Sequence, residues 1–220
     1  MTDELTRNLK TLHAALQHGE VVAFPTDTVF GLGADATHAG AVKALRRLKG
    51  RDADKPLQVL VGSLEQAQAL GGFSPGALRL AQAFWPGALT LIVPKKPSAA
   101  IADNVCGETV GLRWPKDFLL AEYGQPVAAS SANRGGEPPL ESAEEIAREF
   151  GVVTLLPLPE GEVEIACAIS GESVPTVPLS SSSGRSKNIA STVIEIRDGA
   201  LQVLREGSIT RQQVESVWNH

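Results

Sequence analysis

Residues Phe24 to Ala36 read FPTDTVFGLGADA. They continue Glu20-Val21-Val22-Ala23-Phe24, an apolar run whose length and β-branched content predict a buried strand. Pro25 ends that strand, because it has no N–H to donate to a ladder. Thr26, Asp27 and Thr28 then stand beside apolar Val29 and Phe30, with Gly31 and Gly33 following. Small hydroxyls and glycines after a strand suit a pocket where backbone and side-chain donors meet a ligand. A tight strand-to-helix connection is the equally open alternative. Gly31 to Ala36 also fits G-x-G-x-x-A, but in a dinucleotide site the first glycine follows the strand directly, and here it lies seven residues past Phe24.

Upstream, Leu5, Leu9, Leu12 and Leu16 recur at helical spacing within Asp3 to His18, and Gly19 supplies the stop. Downstream, Val42, Leu45 and Leu48 mark an amphipathic helix from Ala39 that Gly50 closes. Leu57 to Val61 reads as a strand, Ser63 with Gln66 as a capping box, and Ser74-Pro75 as the start of a helix reaching Trp85. Pro86-Gly87 turns the chain into a strand over Ala88 to Val93, and further strands are predicted at Thr109 to Leu112 and Pro126 to Ala129. Ser142 with Glu145 caps a helix ending near Phe150. Beyond it lie strand patterns at Val152 to Leu156, Glu162 to Ala168, Thr192 to Ile196 and Leu201 to Leu204, then a last helix capped by Thr210 and Gln213. This irregular mixture predicts one α/β or α+β domain over residues 1–220, not a regular doubly wound sheet. Ser170 to Asn188 is rich in Ser, Pro and Gly and predicts a mobile loop at about 170–188, either inert or a lid.

With 43% hydrophobic and 20% charged residues the composition is that of a globular protein. No apolar run approaches the about 18 residues of a membrane helix, and the N-terminus has no apolar signal core, so neither a membrane span nor export is expected. Cys106 and Cys167 lie far apart, which argues against a disulfide framework and fits a reducing cytoplasm. His13, His18, His38 and His220 show no metal-ligand spacing, so no zinc site is expected. A net charge of −5 disfavours a chain that holds nucleic acid by bulk electrostatics.

Cations nevertheless crowd one place: Lys43, Arg46, Arg47, Lys49, Arg51 and Lys55. Lys43, Arg46 and Arg47 are expected on the solvated face of the second helix. Lys49, Arg51 and Lys55 lie past it, around Gly50, and can converge on one anion; Arg supplies a planar fork and Lys a point charge, a combination suited to a polyphosphate. No Walker A sequence is present. A second stretch, PVAASSANRGG from Pro126, ends a strand in hydroxyl and amide residues. Ser131 and Asn133 alternate and would share a face if extended, where both could donate to a phosphate oxygen; an ordinary turn is the plainer reading. No His stands near and G-x-S-x-G is absent, which discounts a serine hydrolase. Arg113 and Arg205 each end a strand-like segment, as surface caps or as ligand contacts at a sheet edge.

PTDTVFGLGADA, Lys49-Gly50-Arg51 with DKPL after it, FWPGALTL, TVGLRWP, SSAN, STVIEI and LREG occur in an order and spacing that resemble the YrdC-type threonylcarbamoyl-adenylate synthases over most of Val21 to Gly207. The resemblance implies an open, twisted mixed β-sheet flanked by helices around a deep positive cavity, in the short form without an added C-terminal domain. It implies a nucleotidyltransferase that converts L-threonine, bicarbonate or CO2, and ATP into threonylcarbamoyl-AMP and pyrophosphate. Partner proteins then transfer the threonylcarbamoyl group to tRNA, which the synthase itself would meet indirectly or weakly. By the same resemblance Lys49, Arg51, Ser131 and Asn133 are the catalytic constellation, Lys55, Thr109 and Arg205 contact ATP, and Thr28, Arg113 and Ser191 form the threonine pocket. Mg2+ would travel on the triphosphate, since the chain shows no dedicated metal cage. Phe30, Leu60 and Glu206 depart from the family pattern, where Tyr, a His in some members, and Pro are usual. Two other readings are an RNA-binding module without catalysis, which 5% aromatics make a poor base-stacking surface, and a carbamoyl-adenylate former using carbamoyl phosphate.

Overall fold

A computed structural model describes residues 3–50, 55–116, 119–151 and 189–219. Among the described residues there are eight strands: β1 (Val22–Phe24), β2 (Gly31–Asp35), β3 (Gln58–Leu60), β4 (Leu89–Pro94), β5 (Thr109–Arg113), β6 (Val127–Ser131), β7 (Thr192–Arg197) and β8 (Ala200–Arg205). They form one sheet in the order β1-β2-β6-β3-β5-β4-β7-β8, parallel at β3–β5 and β4–β7 and antiparallel elsewhere. Six helices accompany it: α1 (Asp3–Gln17), α2 (Ala39–Leu48), α3 (Leu64–Leu70), α4 (Pro75–Phe84), α5 (Ala143–Phe150) and α6 (Arg211–Trp218). A short 3-10 helix, Leu119–Tyr123, has no counterpart in the sequence periodicity. The sheet is therefore open and mixed, as expected. The strands expected at Val152 to Leu156 and Glu162 to Ala168, and the serine-rich segment Ser170 to Asn188, lie outside the described residues. No described helix is long and apolar enough to cross a membrane.

The caps explain most helix starts. Ser142 with Glu145 and Thr210 with Gln213 complete reciprocal capping boxes, and Ser74 accepts from Ala77 N with Pro75 in the first turn. Ser63 accepts from Gln66 N at 3.1 Å, but Gln66 Oε1 returns to Gly62 N at 2.8 Å instead of Ser63 N, so that box closes one residue earlier than its spacing suggests.

The opening stretch departs most from expectation. GLGAD is strand β2, antiparallel to β1 with Phe24 opposite Gly31 and Val22 opposite Gly33, and not a strand-to-helix connection. Its glycines are demanded by packing. The buried Phe24 ring lies across them, and a Cβ on Gly33 would come within 2.7 Å of both Phe24 Cε1 and Val127 Cγ1. An interior packed like an organic crystal has no room for it. A strand that offers bare backbone on one face carries no alternating pattern, which is why it does not read as a strand.

Alternation divides the sheet into two faces. Val59, Leu91, Val110, Leu112, Ala128 and Ile194 join the main core with Val42 and Leu45 of α2, Leu70 of α3, Leu80 of α4 and Val214 of α6. The opposite face packs at its β1–β2–β6 end onto Leu9, Leu12 and Leu16 of α1 and Leu120 of the 3-10 helix. The rest of that second face floors a cavity.

One cation of α2 is misplaced by the periodicity argument. Lys43 and Arg47 are exposed, but Arg46 is buried. Its guanidinium donates to Lys55 O at 2.8 Å, Asn104 O at 2.9 Å and Val105 O at 3.3 Å. Arg46 is a clamp on three backbone carbonyls of neighbouring loops, contacts that no local sequence pattern encodes.

Candidate functional site

The cavity measures about 650 Å³. Its floor follows from strand register: Ala129, Gln58, Gly111, Ile92 and Glu195 form one row across β6, β3, β5, β4 and β7. Val127, Leu60 and Arg113 begin the next row, continued by Thr90, Val193 and Arg205 on the far strands. Thr28, Phe30, Thr109, Ser131, Asn133 and Ser191 complete much of the wall.

Arg113 anchors one end. It is 4% exposed at the end of β5. Its Nε donates to Gly87 O at 3.1 Å, Nη1 donates to Thr28 Oγ1 at 2.9 Å, and Nη2 forms an ion pair with Asp27. Burial pulls the guanidinium below its ordinary range, and Arg205 adds to that, while the Asp27 carboxylate works against it. Pro25 ends β1 and lets the next residues fold on themselves. Thr26 Oγ1 donates to Val29 O at 2.7 Å, accepts from Thr28 N and Val29 N, and lies 3.0 Å from Thr28 Oγ1. This hydroxyl-bonded turn is what presents Asp27 and Thr28 to Arg113. Of the five N–H groups of a guanidinium, three are engaged here, so the fork keeps donors for a further anion.

Ser191 and Arg205 meet nearby. Arg205 donates from Nε to Ser191 O at 3.0 Å and from Nη2 to Ser191 Oγ at 3.2 Å, and that hydroxyl lies 3.0 Å from Thr90 Oγ1. Burial again pulls the Arg205 guanidinium down from its ordinary range.

The other end is the turn after β6. Asn133 N donates to Ser131 O at 3.0 Å, so the two residues meet through a tight turn and not through an extended strand. Ser131 Oγ donates to Asn133 Oδ1 at 2.5 Å, and Asn133 Nδ2 donates to Glu137 O. Lys49, 3% exposed, is the C-cap residue of α2. Its ammonium donates to Ser131 O at 2.5 Å, to Asn133 Oδ1 at 2.7 Å and to Asn133 O. Lys49 thus sits behind the turn and holds it, while Ser131 and Asn133 face the cavity.

Of the residues singled out in the sequence, the fold brings Thr28 to Arg113, Ser191 to Arg205, and Lys49 to Ser131 and Asn133. Thr109 lies on the cavity floor. Lys55 is exposed and offers its carbonyl to Arg46, with Pro56 and Leu57 after it on the cavity wall. Arg51 lies outside the described residues. Asp27, Thr90, Gln58 and Glu195 were not picked out as site residues. Strand alternation alone would have put Thr90 and Glu195 on one side of their strands, but only the register aligns those sides. Among the described residues no group of three His, Cys, Asp or Glu side chains could hold a metal ion. The arrangement offers a guanidinium fixed by the Thr28 hydroxyl, Asp27 and a backbone carbonyl for a small anion, and a cation-backed hydroxyl and amide turn at the other end of the same cavity.

A family model named Sua5_yciO_yrdC and described as "Telomere recombination" matches residues 14–170. Threonylcarbamoyl-AMP synthase of Bacillus subtilis is 38% identical over 99% of this chain and 59% of its own length. The putative threonylcarbamoyl-AMP synthase of Mycobacterium tuberculosis is 34% identical over 98% of this chain and 91% of its own length. The chain therefore spans about three-fifths of the first relative and nearly all of the second. A crystal structure of P. abyssi Sua5 complexed with L-threonine superposes with a TM-score of 0.75 at 32% identity, covering 95% of this chain and 56% of that one. E. coli YciO, at 19% identity and a TM-score of 0.71, shares the fold. On the family match and these identities, the chain belongs to the Sua5_yciO_yrdC family.

Proposed function

We propose that this protein is an L-threonylcarbamoyladenylate synthase, a nucleotidyltransferase that supplies threonylcarbamoyl-AMP for tRNA modification. The observation that carries the reading is the Arg113 pocket. A buried guanidinium with donors to spare, flanked by Thr28 and within the same cavity as Ser191 and the Ser131–Asn133 turn, suits a small hydroxy amino acid beside a polyphosphate. Relatives at 34–38% identity that bear the synthase name support it, as does the likeness to P. abyssi Sua5 complexed with L-threonine.

In this reading Arg113 pairs with the threonine carboxylate, and Thr28 and Ser191 line the side-chain pocket. The threonine amine takes up CO2 to form a carbamate. A carbamate oxygen attacks the α-phosphorus of ATP, forming a mixed anhydride with AMP and releasing pyrophosphate. Such a transfer calls for alignment and charge neutralisation more than for a strong base. Ser131 and Asn133 face the phosphates with the Lys49 charge behind them, Arg51 and Lys55 supply further positive charge to the phosphates, and Thr109 and Arg205 contact the nucleotide. The cations give the cavity a positive character. Mg2+ would be carried on the triphosphate and would offset part of its charge. Proteins that move the threonylcarbamoyl group to tRNA are the downstream partners.

Purified protein given ATP, bicarbonate and L-threonine is expected to release pyrophosphate. Release that does not depend on threonine would overturn the assignment, and release driven by carbamoyl phosphate instead would move it to the carbamoyl-adenylate class. Arg51→Ala is expected to cost at least about 2 kcal/mol of transition-state stabilisation.

A further inference from the structure

We propose that Glu195 accepts the ribose hydroxyls of the nucleotide, and so makes this cavity selective for ribonucleotides over deoxyribonucleotides. The inference rests on the ATP-dependent reading above and adds a residue to it.

Glu195 is the only carboxylate among the described residues that line the cavity. Asp27, the nearest comparable group, is tied to Arg113. No described hydrogen bond or ion pair engages the Glu195 side chain. Arg205 stands opposite Val193 on the neighbouring strand but turns its guanidinium to Ser191. Glu195 is half-buried on the cavity wall, and a ligand that displaces its water must supply a donor in return, because a carboxylate is costly to desolvate unpaired.

Its place in the sheet says which part of the ligand that is. Ser131 ends β6 and Asn133 lies in the turn just after it, and β6, β3, β5, β4 and β7 are successive neighbours. At about 4.8 Å per strand, four steps separate the phosphate-facing turn from Glu195 by about 19 Å. A carboxylate repels phosphate, so an extended nucleoside triphosphate with its phosphates at β6 brings its uncharged end to β7. Between them the floor runs through Gln58, Gly111 and Ile92. Gly111 and Ile92 occupy the same register row as Glu195. A Cβ on Gly111 would meet only Ile92 Cγ1 at 3.6 Å and Thr90 Cγ2 at 3.7 Å, ordinary contacts, so packing does not require glycine there. The space above Gly111 belongs to the cavity and can seat a ring whose edge reaches Glu195. The donors at that end of ATP are the ribose hydroxyls and the 6-amino group. Two vicinal hydroxyls match the two oxygens of a carboxylate, the pairing acidic residues make with ribose in dinucleotide sites.

The test is direct binding by calorimetry, with no turnover required, comparing ATP, 2′-deoxy-ATP, 3′-deoxy-ATP and a purine riboside triphosphate that lacks the 6-amino group. The wild-type protein should prefer ATP over either deoxy analogue by about tenfold or more, the scale of one hydrogen bond to a charged acceptor. Glu195→Ala should bind ATP about as weakly as the wild type binds the deoxy analogues and should no longer distinguish them. Its unchanged affinity for 2′,3′-dideoxy-ATP, which offers Glu195 no hydroxyl, would show that the cavity is intact. Should Glu195→Ala lack a cooperative unfolding transition, the isosteric Glu195→Gln carries the same comparison, with a reduced preference expected. A wild type that does not discriminate, or a variant that keeps the full preference, overturns the proposal. So does a variant that loses discrimination against the 6-deamino analogue instead, since Glu195 would then read the base. If ribose preference holds while threonine-dependent pyrophosphate release fails, the synthase reading falls and the nucleotide contact stands.

Discussion

Replacing Lys49 by methionine keeps the length of the side chain and removes its charge. The ammonium donates to Ser131 O at 2.5 Å, Asn133 Oδ1 at 2.7 Å and Asn133 O, and the side chain is buried behind the turn. A hydrogen bond from a charged donor contributes about 1.5–3 kcal/mol. The three will not add, because they share one donor group and because Ser131 and Asn133 border the cavity, where water can satisfy some of the oxygens left behind. A net loss of about 2–4 kcal/mol is expected. With a urea slope of about 2 kcal/mol per molar, the unfolding midpoint should fall by about 1–2 M. Lys49→Arg should recover only part of this, since a planar fork cannot place donors around one point as an ammonium does. A Lys49→Met midpoint within about 0.2 M of the wild type would refute the claim that Lys49 holds the turn. Pyrophosphate release then separates two roles. Full stability with lost activity would mean that Lys49 acts on the phosphates directly, whereas a joint loss would mean that it acts through Ser131 and Asn133.

Arg46→Met removes donors from the carbonyls of Lys55, Asn104 and Val105 and should lower stability by about 2–4 kcal/mol in the same titration; a change under about 0.5 kcal/mol would contradict the clamp. Gly33→Ala should cost about 1–3 kcal/mol through the 2.7 Å approach to Phe24 and Val127, and much of that cost should vanish in a Phe24→Leu background if the aromatic ring is the obstacle. Burial holds the His13 imidazole below its ordinary range, against the opposing pull of Glu122. An unfolded histidine titrates near about 6.5, so the unfolded chain takes up the proton first, and stability should decline as pH falls below about 6.5 and level off below the folded value. His13→Phe, which keeps a ring beside Tyr123, should flatten that slope in denaturation curves taken from pH 7 to 5.

Much of the fold was legible because its signals are local. The helices announce themselves by caps at Ser74, Ser142 and Thr210, whose side chains bind backbone N–H groups three residues on. Strands β4 to β8 carry apolar runs bounded by turn residues. The 3-10 helix was not legible, since five residues hold too little periodicity to stand out. Strand β2 was not legible either, for its glycines answer to a ring on another strand. The site was legible in kind but not in arrangement. Arg113 and Thr28 are 85 residues apart and Thr90 and Ser191 are 101 apart, distances over which composition says nothing about contact. Lys49 looked like a phosphate ligand from its neighbours Gly50 and Arg51. Its three acceptors lie more than 80 residues on, and only the packed turn reveals that they engage it first.

FPTDTVFGLGADA shows the division within one stretch. By itself it determined a strand end at Pro25 and a cluster of hydroxyls after it, because φ restriction acts within a residue; the hydroxyl-bonded turn over Thr26 to Val29 is seen only in the structure. That GLGAD is a strand, that its glycines make way for Phe24, and that Asp27 and Thr28 turn toward Arg113 were decided by tertiary structure. Steric exclusion and charge pairing depend on which atoms stand opposite, and strand register alone sets that.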